Sequence, residues 1–109
     1  MKDRFEVIFL PEAVKFMDDI AYMAREKMYY NIRKAQKIND NQILKKLNEN
    51  IWEFRCINQN ICYRLFAFWD KKDNKNALII ATHGMIKKSQ KTPAHEIDKA
   101  QQIRKKYLQ

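Results

Sequence analysis

The chain has 109 residues, 46% hydrophobic and 32% charged, with 22 lysines and arginines against 13 aspartates and glutamates, a net charge of +9. This is too apolar for intrinsic disorder, and the length suits one domain over residues 1–109 that buries about 65% of its unfolded surface. No apolar run nears the roughly 20 residues of a membrane span and none forms a secretory signal, so a cytoplasmic protein with no membrane partner is expected. The excess charge favours phosphate-bearing partners over neutral ones.

In chain order, "RFEVIFL" alternates Phe5, Val7 and Phe9 with Glu6, Ile8 and Leu10, a pattern that predicts a partly buried strand ended by Pro11. Pro11 and Glu12 suit the first turn of a helix. Ala13, Met17, Ile20, Ala24, Met28, Ile32 and Ala35 then recur at helical spacing and predict one long amphipathic helix. "KINDNQ" interrupts it. Ile43, Leu44 and Leu47, with Lys45, Lys46 and Glu49 on other faces, predict a second, shorter helix, entered through Asn39, Asp40 and Asn41 and paired with the first as a helical hairpin.

"IWEFRCI" and "ICYRLFAFW" flank "NQN" and predict an antiparallel β-hairpin. An even loop places Arg55 opposite Arg64, with Trp52, Phe54, Tyr63 and Leu65 on the other face; an odd loop separates the arginines. The even register is favoured because it gathers the aromatic residues against the helices. It also puts Cys56 and Cys62 on opposite faces, where they read as reduced thiols, not as a disulfide or a zinc site. "ALIIATH" predicts a central strand. "PAHEIDKAQQIRKKYL" predicts a C-terminal helix with Thr92 as N-cap, Pro93 in its first turn, and Lys105 and Lys106 near its end. The expected order is β-α-α-β-β-β-α, an α+β fold with helices mainly on one sheet face.

Charge is uneven along this order: residues 1–50 carry ten basic and eight acidic side chains, residues 51–109 twelve and five. "MIKKSQKT" holds Lys87, Lys88 and Lys91 with no acid, beside a helix N-terminus, a setting that suits a phosphodiester. Arg55 and Arg64 can grip phosphate oxygens bidentately, or pair with Glu53 or Asp70. His83 can shuttle protons near a phosphate or serve as a hydrogen-bonding strand residue; the sequence leaves both open. Gly84, the chain's one glycine, reads as a hinge off the last strand or as a place where an RNA backbone approaches closely. No glycine-rich phosphate loop, HExxH, GxSxG or magnesium-type carboxylate cluster occurs, so no metal and no cofactor is expected.

Together "IWEFR", "CYRLFAFWD" and "ALIIATHGMIKKSQKTPAHEIDKAQQIRKKYL" resemble the RelE/HigB-type toxins of bacterial type II toxin–antitoxin systems, in particular the phage-derived HigB-like branch. The resemblance covers residues 51–108. It implies a RelE-like fold with a basic concave face opposite the helices. The implied activity is that of a metal-independent endoribonuclease that cuts mRNA in the ribosomal A site and so arrests growth. The implied partners are mRNA, the small ribosomal subunit and a cognate helix-turn-helix antitoxin of HigA type.

The resemblance carries over Arg55, Arg64, Lys87, Lys88 and Lys91; with these, the expected catalytic set is Arg55, Arg64, His83, Lys87 and Lys88, and the expected RNA-binding set Lys45, Lys46, Gln90, Lys91 and Thr92. Phe54, Met85 and Ser89 depart from the family pattern without removing a positive charge. Two rival readings are a non-catalytic double-stranded-RNA-binding domain, which also carries a basic segment beside a helix, and a ParE-like gyrase inhibitor of the same fold.

Overall fold

The computed structural model describes residues 3–71, 77–87 and 91–109. Among them are five strands and three helices, in the order β1 (Glu6–Phe9), α1 (Pro11–Asp19), α2 (Tyr22–Lys37), β2 (Leu44–Lys46), β3 (Trp52–Asn58), β4 (Ile61–Trp69), β5 (Leu78–Lys87) and α3 (Ala94–Leu108). The strands form one sheet ordered β1-β5-β4-β3-β2, in which only the β1–β5 pair is parallel. The α+β class expected from the sequence is the one observed.

The hairpin follows the even register. Gln59 and Asn60 form a two-residue turn with φ of 51° and 65°, left-handed values that match the twist of the flanking strands. Arg55 therefore stands opposite Arg64, Phe54 opposite Leu65 and Cys56 opposite Tyr63. Phe54, Cys56, Tyr63 and Leu65 enter one core with Ala13, Met17, Ala24, Met28 and Ile32 of α1 and α2, and Trp52 packs against it. The Cys56 thiol lies 3.8 Å from the Ala24 carbonyl oxygen, and burial pushes its pKa up to about 11, leaving it an inert core thiol.

Three expectations are corrected. The long helix is two: its apolar period runs on because both pieces face the same core, but Ile20 and Ala21 are extended, with ψ of 163° and 143°. The short second helix expected around Ile43–Leu47 is instead edge strand β2, pairing Leu44 with Phe54 and Lys46 with Trp52. Turns confine it: the Asp40 carboxylate accepts from the Gln42 amide, and the Asn48 side chain accepts from the amides of Asn50 and Ile51. Finally, Thr92 does not cap α3. Pro93 holds the N-cap position with no side-chain cap bond, and the Thr92 hydroxyl points back to the sheet.

While α1 and α2 cover one face, α3 covers part of the other. Phe66, Phe68, Ile80, Ile51 and Ala100 form a second core there, with Tyr107 edge-on to Phe68. β4 is thus buried on both sides, which explains its nearly unbroken apolar run.

Gly84 is not a hinge. It lies inside β5 opposite Leu65, has no positive φ, and is overlain by Phe16 of α1, whose ring atoms would stand 2.2–2.5 Å from an added Cβ. Close helix packing, not backbone freedom, requires glycine here. Gly84→Ala is expected to cost about 1–3 kcal/mol through overpacking, seen as a lower urea midpoint with an unchanged m-value.

Candidate functional site

Strand pairing sorts the side chains of the α3-covered face into rows. Arg55, Arg64 and Met85 form one row; Ile57, Cys62 and Lys87 form the next, two residues further along each strand, roughly 7 Å away. On the other side lie Lys45 and Glu53, register partners across β2 and β3, and then Phe66 and His83. His83 reaches this face through an irregularity: Leu65 pairs with Gly84 but Ala67 with Ala81, so β5 carries one extra residue there.

At the centre is a carboxylate. Glu53, with 0% exposure, accepts from Arg64 at 2.5 Å through Oε2 and from the Thr92 hydroxyl at 3.0 Å through Oε1. Arg64 Nη1 also donates to Thr92 Oγ1 at 3.1 Å, closing a three-residue ring that ties β3, β4 and the entry to α3 together. Arg55 Nε lies 3.7 Å from the same Glu53 Oε2. One carboxylate therefore serves two guanidiniums and leaves a net positive charge. It emerges at Arg55, whose side chain is 19% exposed, while that of Arg64 is 1% exposed.

Beside Arg55, a cleft of about 370 Å³ is lined by Asn41, Gln42, Lys45, Lys46 and Trp52. Both lysines are exposed, Lys45 on the arginine face and Lys46 on the face of its partner Trp52. Lys91 is exposed after β5, Lys87 half-buried. Lys88 and Gln90 lie outside the described residues.

His83 is 3% exposed and its ring stacks at 4.8 Å on Phe66. Its Nδ1 is 3.0 Å from Thr82 Oγ1, its Nε2 3.3 Å from Glu96 Oε1 on α3. Burial, helped by the nearby Lys99 ammonium, lowers its pKa below the ordinary 6.5 against the opposing pull of Glu96 and Glu12. Glu12 is itself held by Lys99 at 2.8 Å. A neutral ring satisfies both contacts when Nε2–H donates to Glu96 and Nδ1 accepts from Thr82. His83 thus fastens the first turn of α3 to β5.

Because the folded pKa is lowered, the unfolded chain binds the extra proton first. Stability should be complete above pH 6.5 and fall as the pH drops below it, by at most about 1.4 kcal/mol per pH unit. Urea midpoints measured across that window should show the slope, and His83→Gln should flatten it.

The sequence pointed to both arginines and to the lysines. It raised Glu53 only as one possible partner and gave Glu96 no role. The signal for Glu53 was its spacing: two residues before Arg55 on a strand, it must share that residue's face. Among the described residues no group of three or more His, Cys, Asp or Glu side chains is placed to hold a metal ion, and no helix is long and apolar enough to cross a membrane.

A family model described as "Phage derived protein Gp49-like (DUF891)" matches residues 15–105, most of the chain. No curated protein and no solved structure matches it. The match spans the second half of α1, all of α2, the arginine ladder and nearly all of α3. The chain accordingly belongs to the phage-derived Gp49-like family, a family of RelE-like toxins.

Proposed function

We propose that the protein is a ribosome-dependent mRNA endonuclease of the HigB-like branch, acting in the cytoplasm and restrained by a HigA-type antitoxin. The observation that carries this reading is the Arg55–Arg64 ladder around buried Glu53, with an exposed cationic edge, in a chain of a RelE-like toxin family. In the reaction, the ribose 2′-oxygen attacks the adjacent phosphorus while the P–O5′ bond breaks. The products are a 2′,3′-cyclic phosphate and a 5′-hydroxyl; the proton leaves the 2′-oxygen and one is delivered to the 5′-oxygen.

Arg55, the more accessible guanidinium, stabilises the charge gathering on the phosphate oxygens. Arg64 acts through Glu53, holding the carboxylate that aims Arg55. Lys87, Lys88 and Lys91 draw in the phosphate. Lys45, Lys46, Gln90 and Thr92 hold the neighbouring backbone. His83, turned inward on Thr82 and Glu96, positions α3 and does not touch the reacting atoms.

The test is induction in cells with and without the neighbouring antitoxin gene, followed by mapping of mRNA 5′ ends. Growth arrest with translation-dependent 5′-hydroxyl ends is the expected result. Arrest with intact mRNA and lost supercoiling, or duplex-RNA binding with no new ends, would replace it with a gyrase-inhibiting or a non-catalytic RNA-binding protein.

A further inference from the structure

The chain has two tryptophans, and both lie at one end of the sheet: Trp52 opens β3 and Trp69 closes β4. Their rings meet edge to face at 6.2 Å and 88°. Both line a cleft of about 410 Å³, a size that suits a small ligand. The cations around it come from three places: Lys46 from β2, Lys71 from the segment after β4, and Arg104 from α3. Among the described residues none of these three is in a salt bridge. The cleft shares Lys46 and Trp52 with the one beside Arg55, so the two are adjacent.

We infer that this cleft is a nucleotide subsite for single-stranded RNA, where a base next to the cleavage site stacks on one ring of the tryptophan pair and its phosphate meets Lys46, Lys71 and Arg104. It rests on the reading of the protein as an RNA-directed toxin and extends that site beyond the arginine ladder. Glu49 and Asp70 also line the cleft, so its charge excess is small and phosphate attraction alone does not make the site. The aromatic surface must supply the rest, as on other single-strand platforms, where every base offers a π-face. The requirement for an unstacked base selects single strands over duplex.

Because the chain has no other tryptophan, fluorescence excited selectively for tryptophan over the five tyrosines reports on these two rings. The full-length protein is titrated with a short oligoribonucleotide carrying 2′-O-methyl groups throughout, which cannot be cleaved by 2′-oxygen attack. Saturable quenching is expected, with Arg104→Ala binding roughly tenfold more weakly while its unliganded emission spectrum stays that of the wild type. A blunt-ended RNA duplex of the same length should quench far less. No quenching, equal quenching by duplex, or Arg104→Ala binding like wild type would overturn the subsite. Quenching without translation-dependent cleavage in cells would sink the nuclease reading and leave the subsite standing; cleavage without quenching would do the reverse.

Discussion

Glu53→Ala should destabilise the protein by about 3–5 kcal/mol, because it leaves a guanidinium that is 1% exposed without the carboxylate it was folded around. The loss also removes the acceptor of the Thr92 hydroxyl, leaving the Arg64–Thr92 bond as the remaining side of the ring at the entry to α3. Glu53→Gln keeps the shape and one acceptor but removes the charge, so a smaller loss is expected. Urea unfolding of the three proteins checks this. A Glu53→Ala cost below about 1 kcal/mol, the range of an exposed ion pair, would mean that the buried ring does not hold the site together.

The two arginines should part company when replaced. Arg55→Ala is expected to lower cleavage on translating ribosomes on the order of 100-fold, the usual effect of removing one transition-state donor, while stability moves by less than about 1 kcal/mol. Arg64→Ala should lower cleavage too, but together with stability, since it strands Glu53 in the interior. The ratio of the two effects is the diagnostic. If Arg55→Ala leaves cleavage intact, the guanidinium does not contact the phosphate.

Much of this arrangement was legible in the chain. The alternation in "IWEFRCI" and "ICYRLFAFW", with turn-forming residues between, was enough to set Arg55 against Arg64. What was not legible was decided by tertiary contacts. Ile43, Leu44 and Leu47 have helical spacing, yet the open edge of β3 and two side-chain turns hold that segment extended. The break at Ile20–Ala21 has neither glycine nor proline to announce it. Coverage of the second face by α3 had a signal in the double-sided apolar run of β4, where Phe66 and Phe68 stand on the arginine side. That same coverage buries Arg64 and turns His83 inward, so an exposed basic face becomes a narrower edge at Arg55, Lys45 and Lys87.

The position of β5 has a bearing on time as well as shape. Late in the chain, it is nonetheless the strand between β4 and β1, so the first strand made waits unpaired for nearly the last. Pairing of such distant segments is slow to form. Thr92, which closes the ring around Glu53, is translated later still. A chain still emerging from its own ribosome therefore lacks the assembled site, which belongs only to the finished fold.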